Sequence, residues 1–566
     1  MWRSVAFILC VLLAALATWA TFDPGAEPAD FVIAASEPRT VDPHRVSWVS
    51  EVQLAQAMFE GLTRLNDQTF LPEPAVATHW EIDDQHRSYV FHLRPDARWS
   101  NGEPVTAADF RYSWLRVLDP RTEAQYATLM VFIRGAEEYY RSRLNDDPDD
   151  DVPADAVGIE ALDAATLRVS LSRPCSYFLE LTAFIAFAPV HRASVERSQP
   201  DGGRGSAQEW TRPGNMVSNG PFVMAEWGFK RSIRLKRNPH YWDAASIGID
   251  SIEALHTPDA SASLVAYQTR RVHLISPVER LVAERLLKEQ ASGRRSDFHA
   301  GDRFATFFYR VNCRRPPLDS ADFRKALSLA IDREAICSQL LRTGETPALH
   351  YVPLSGVPLM ERTDAQGRPV RYEPPAGLGA GLSCEERVAL AREYLRRSGV
   401  GSPATVRPIR ILFPGEAEQR LLAEAIQQMW QRDLGIRVEL QVTEPKVIST
   451  RIRALDYDVA RSNWFGDYLD PSTFLEMFQT DSGNNRTGWS HPEYDRLVVA
   501  ATHEPDDGER YRLLAAAEKI LVEDELPILP VYFRRGGFLL SPRFEGLADN
   551  VKDVLFIHRV RPAAPR

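Results

Sequence analysis

Asp467 is the acid whose neighbours point most directly to chemistry. It stands in Trp464-Phe465-Gly466-Asp467-Tyr468, a carboxylate among aromatic rings and beside a glycine that lets the backbone approach a neighbour. A flanked acid on a strand-end loop suits a cationic ligand group. The plainer alternative is that Asp467 caps a turn and the rings belong to a core. These residues alone leave both open. Other chemistry finds little support. There is no G-x-S-x-G elbow, no H-E-x-x-H, no phosphate loop and no C-x-x-C pair, and the 13 histidines are scattered. Gly377 to Leu382 is an incomplete dinucleotide fingerprint, with no strand before it and no last glycine. The acidic run at Asp147 to Asp151 lacks the sixth-position glycine of a calcium loop and has Gly158 at the twelfth, so it reads as a solvated loop. No enzyme, metal or cofactor is expected.

The loop needs a strand before it and a helix after it. Asp456 to Arg461 is β-prone, Gly466-Asp467 turns, and Asp470-Pro471 predicts a helix start. Ile409 to Phe413 and Val438 to Val442 predict strands around a helix over Glu416 to Leu434, a β-α-β unit. Further strands are expected at Phe31 to Ala35, Tyr89 to Leu93, Ile159 to Leu171 (as two), Ile233 to Arg237, Phe304 to Asn312 and Ile528 to Tyr532. Helices are expected over Val52 to Leu62, from Thr106 to Pro120, from Asp259 to Arg271, after Asp319, over Glu385 to Arg397 and over Tyr511 to Glu523. Arg197 to Asn215 reads as exposed, and Gly356 to Leu382 as a long loop. Strands mixed with helices throughout indicate an α/β or α+β protein of several lobes.

A chain of 566 residues with a net charge of −10 and no basic block does not suit non-specific nucleic-acid binding. Arg3 and the apolar run from Val5 to Ala17 predict an export leader over residues 1–22, with cleavage near Ala20; an uncleaved anchor stays open. Cys10 lies inside the apolar run, which argues against lipidation there. Cys175, Cys313, Cys337 and Cys384 could form disulfides in an exported protein, and sequence does not choose among the pairings.

Six stretches, in order, resemble the oligopeptide- and dipeptide-binding proteins of ABC importers, solute-binding protein family 5. They are Thr40 to His44 with Met58 to Leu62; Tyr89 to Phe110; Asn219 to Phe222; Arg237 to Trp242; Phe323 to Arg333; and Tyr457 to Phe478 with Asn484-Asn485 and Tyr494-Asp495. They span nearly all of the chain after the leader.

The resemblance implies an α/β, two-lobed periplasmic-binding-protein fold with hinge closure and an extra domain near the N-terminus. It divides the chain into a first lobe at 23–59, 187–303 and 529–566, the extra domain at 60–186, and a second lobe at 304–528, with crossings around Phe304 and near Ile528. It implies a monomer that captures short peptides with a free N-terminus, in extended form, and delivers them to a membrane ABC permease outside the cytoplasm. Asp467 matches the carboxylate that meets the peptide ammonium. Tyr126 and Trp464 match ligand-contacting aromatics, and Arg461 an arginine for the peptide carboxylate. Ser47, with Val49 nearby, stands where a second acid is often found; Gln419 stands at a histidine position; Ala305 and Phe465 replace a cysteine pair. Relatives that take metal chelates, haem or sugars, or an exported sensing module, are the alternative readings.

Overall fold

The structure is a computed structural model. It describes residues 28–564 except 68, 84, 145–147, 199–208, 355–360, 365 and 402–405. The expected leader and its cleavage site lie outside the described residues. No helix among those described is long and apolar enough to cross a membrane.

Two long strands organise the molecule. Phe298–Val311 has 14 residues and Ile528–Leu540 has 13, and they pair antiparallel. One end of this ribbon continues through Leu274–Ile275, Phe31–Ala35, Ser251–His256, Ser232–Arg237 and Phe222–Gly228, the sheet of one lobe. The other end continues through Val459–Phe465, Ile409–Pro414 and Val438–Thr443, the sheet of the other. Register runs from Phe298↔Leu539 to Asp302↔Arg535, breaks, and resumes from Thr306↔Phe533 to Arg310↔Ile528. The ladder is thus interrupted between Asp302 and Thr306, with a smaller shift between Phe307 and Phe308. The sequence reading caught only its apolar parts. Gly301-Asp302 and Arg535-Gly536-Gly537 carry no strand pattern, yet they are paired backbone, and Arg303 and Arg534 fall in the break. Arg303 is buried there, between Asp549 (3.1 Å) and Asp553 (2.8 Å) of the C-terminal tail.

The expected β-α-β unit forms. Ile409–Pro414 and Val438–Thr443 are parallel, Ile409 opposite Val438, around helix Ala417–Leu434. Beside it, helix Ala321–Leu329 is capped by Ser320 and buries Phe323 and Leu327, with Ala330 and Ile331 just beyond its end. A separate antiparallel sheet is made of Ala77–Ile82, Ser88–Leu93, Thr166–Ser170 and Ile159–Ala161. Its Ser88–Leu93 strand alternates, with Tyr89, Phe91 and Leu93 facing a core that holds Trp99 and Trp114. Helix Ala107–Val117 covers it, and the Asp109 carboxylate accepts from the Thr106 backbone N–H (2.8 Å), the acid serving as the glutamate of a capping box would.

Several expectations fail locally. Trp210, in the stretch read as exposed, is buried because it completes an apolar core beside Phe59. The 356–382 loop contains a hairpin, Glu361–Thr363 with Arg371 opposite. The helix after Asp470 is one turn, Ser472–Leu475; Asp470 accepts from the Ser472 N–H but is mainly held by Arg510. Cys175, Cys313, Cys337 and Cys384 are all free thiols, so none of the pairings is made.

Candidate functional site

The strand Val459–Phe465 is paired along its length on one side, from Ala305↔Phe465 to Val311↔Val459. On the other side Ile409–Pro414 reaches only Val459 and Ala460. Among the described residues no strand pairs with Arg461 to Phe465 along that second edge. Backbone donors and acceptors in such an edge invite another strand. The strand stops at Gly466, whose N–H donates to the Phe304 carbonyl (2.9 Å). A Cβ there would fall 2.3 Å from the Phe304 ring, so only glycine fits.

Asp467 follows. Its N–H donates to Thr473 Oγ1 (3.1 Å), and its carbonyl accepts from the Lys552 ammonium. Its carboxylate accepts no hydrogen bond from the described residues and has no cation within 4.0 Å. Burial raises its pKa, and the more distant charge of Lys552 pulls it back. Lys552 is itself pushed down by burial and held up by Asp467 and Glu180. Asp467 faces a cavity of about 90 Å³. Phe59, Leu181, Phe184 and Phe556 give it apolar walls. The cavity lies where helix Val49–Met58, the stretch 180–185, the aspartate loop and the C-terminal tail meet. The next residues fix that geometry. Tyr468 stacks on Tyr177 (4.1 Å between centroids), and the Leu469 N–H donates to Glu180 (3.1 Å), which also pairs with Arg362 (2.8 Å).

Tyr126 joins this site. Its ring meets Phe184 edge-on at 4.8 Å, and after burial the charges of Asp467 and then Glu51 raise its pKa. Ser47 and Val49 are placed at the start of helix Val49–Met58, and no hydrogen bond links either to Asp467. Ser47 Oγ accepts from Arg39 (2.7 Å), and its N–H donates to Glu51 (3.1 Å). An acid is therefore present four residues after Ser47. It is occupied by Arg39 and the N–H groups of Ser47 and Trp48. Val49 is 52% exposed, so it is open to contact.

At the other end of the strand, Arg461 Nε donates to Gln419 Oε1 (3.0 Å), which brings these two expected residues together. Gln419 is buried. Trp464, opposite Thr306, is half-buried, and its Nε1–H is buried without an acceptor. Ala305 and Phe465 stand opposite each other in register, where the resemblance placed a cysteine pair.

Sequence reasoning missed Lys552, Phe184 and Glu180. Lys552 lies in a patternless tail more than eighty residues from Asp467, and only the folded chain brings it there. Chemically, the site offers an unpartnered carboxylate, an open strand edge and a guanidinium in sequence. Among the described residues no group of three or more metal-ligating side chains occurs.

Comparison with known proteins fits this geometry. The model of the bacterial extracellular solute-binding proteins, family 5 middle, matches residues 72–486. The periplasmic murein peptide-binding protein of Escherichia coli is 31% identical over 92% of this chain and 90% of its own. The oligopeptide-binding protein of Bacillus subtilis is 32% identical over 86% of this chain and 84% of its own. The solved E. coli murein tripeptide binding protein superposes with a TM-score of 0.76 at 30% identity, covering 95% of this chain and 99% of that one. With the family model matched over residues 72–486 and relatives of 31 and 32% identity covering 92% and 86% of it, the chain belongs to family 5 of the bacterial extracellular solute-binding proteins.

Proposed function

We propose that this chain captures oligopeptides with a free N-terminus between its lobes and delivers them to a membrane ABC permease, working as an exported monomer without chemical turnover. The observation that carries the reading is the Asp467 carboxylate, half-buried, facing a cavity and without a hydrogen-bond donor among the described residues. A peptide ammonium would supply the missing donors and the missing charge. The peptide backbone would add along Arg461 to Phe465, so affinity would come from main-chain hydrogen bonds and tolerate varied side chains. Asp467 lies six positions after Arg461, at most about 20 Å of extended chain. That suits short peptides gripped at both ends. The two relatives above are named for peptides, which supports the same ligand class.

In this reading the lobes divide at 23–59, 187–303 and 529–566 against 304–528, with 60–186 as the extra domain. Closure bends the ribbon at its register break. Residues 1–22 act as leader or tether.

Native mass spectrometry of the gently purified protein tests the proposal. Adducts that dissociate as short peptides are expected. A single non-peptide adduct would redirect the reading to another solute, and cleavage of added peptides would overturn the absence of turnover.

A further inference from the structure

Two arginines flank the same central strand. Arg461, opposite Tyr309, lies 5.6 Å from the centre of the Phe307 ring and donates to Gln419. Arg534 follows Phe533, which is opposite Thr306, and lies 5.4 Å from the centre of the Phe465 ring. Both are half-buried. Among the described residues no carboxylate lies within 4.0 Å of either. The nearby Glu418 is already taken by Arg280 (2.9 Å) and by the Tyr532 hydroxyl (3.3 Å). Burial, and then the charge of Arg534, lower the pKa of Arg461, with Tyr532 and the more distant Glu416 opposing, so the two guanidiniums lie within each other's field. Like charges held together away from full solvation are unfavourable until an anion arrives. The arrangement stands out in a chain of net charge −10.

One guanidinium suffices for the terminal carboxylate of a peptide. The second is left over. We propose that Arg534 is a specificity-determining residue which, with Arg461, receives a ligand end bearing two carboxylates: an extended peptide whose last residue is aspartate or glutamate. The inference rests on the peptide reading above and narrows it. The rings of Phe307 and Phe465 lie within cation–π range of the two guanidiniums, which helps to hold them in place for a charge-assisted contact. Lysine could supply the charge at position 534 but not the planar fork.

The test is calorimetry with alanine-based peptides of increasing length that end either in glutamate or in the near-isosteric glutamine. The expected result at low salt is about tenfold tighter binding of the glutamate series, the size of one charge-assisted contact. Raising the salt should shrink that ratio. Arg534→Gln should bring the ratio to about one, and Arg534→Lys should keep part of it. Binding of the glutamine series by each variant shows that it is folded. Equal binding of both series by the unaltered protein, or a ratio that survives Arg534→Gln, overturns this inference and leaves peptide capture standing. Binding of neither series overturns peptide capture and this inference together.

Discussion

Arg510 closes on Asp470 with both terminal nitrogens, 2.5 and 2.8 Å from the two carboxylate oxygens, and both side chains are buried. Asp467, three residues away, has no such partner. One loop therefore carries an acid committed to folding and an acid left for a ligand. Asp470→Ala leaves a buried guanidinium with only the longer contact to Asp507 (3.7 Å) and is expected to cost about 3 kcal/mol of stability. Urea unfolding of the unliganded protein measures this. A loss under about 1 kcal/mol would mean that the pair does not hold the loop.

Asp467→Asn should behave in the opposite way. Burial raises the pKa of this carboxyl, so the ionised form is disfavoured in the empty protein. The unliganded melting temperature should stay level or rise, while affinity for a free-amine peptide falls about tenfold or more. Acetylating the peptide amine should cause a loss of similar size in the unaltered protein. Unchanged affinity in the variant would remove Asp467 from the binding site.

The same raised pKa sets a pH dependence. Asp467 takes up its proton at a higher pH than an ordinary aspartate, so on acidification ammonium binding should begin to fail before an ordinary aspartate would be protonated. This acid limb should vanish in Asp467→Asn. Titrating affinity against pH for both proteins gives the comparison.

Trp464 carries a buried indole N–H with no acceptor. A ligand carbonyl would satisfy it. Trp464→Phe should therefore weaken peptide binding by about three- to tenfold and reduce the ligand-induced change in tryptophan fluorescence. An unaltered titration would place the indole outside the ligand's reach.

Stability should also depend on His44. Its Nδ1 accepts from Arg116 (2.7 Å) and its Nε2–H donates to the Ala188 carbonyl (3.0 Å), which fixes the neutral tautomer. Burial, and then Arg116, lower its pKa from 6.5 to about 4. The unfolded chain thus takes up a proton before the folded one. The stability contribution is complete above about pH 6.5 and is lost as pH falls towards 4, up to roughly 3 kcal/mol in all. Denaturation of the parent and of His44→Asn across that range checks this; the variant should show a shallower fall.

The strand carrying Arg461 and its end at Gly466-Asp467 were legible because they lie in a local pattern and in a stretch with a recognisable family order. The β-α-β unit and the Thr106 cap were legible for the same reason. The four unpaired thiols and the buried Trp210 were not, because both depend on which distant surfaces meet. The crossing ribbon was half legible. Its apolar ends read as strands, but its middle is glycine and charge, stabilised by Asp549 and Asp553 from the tail. Lys552 and Arg534 had no local signal at all.

An unpaired β edge is ordinarily a hazard, because it templates association with any exposed strand. Here the open edge from Arg461 to Trp464 is half-buried rather than displayed. A slender single chain can reach such an edge more readily than the flank of another folded sheet. On the proposed function, such a recess would act as a size filter on self-association. It would let the protein keep an indiscriminate backbone template without becoming its own ligand.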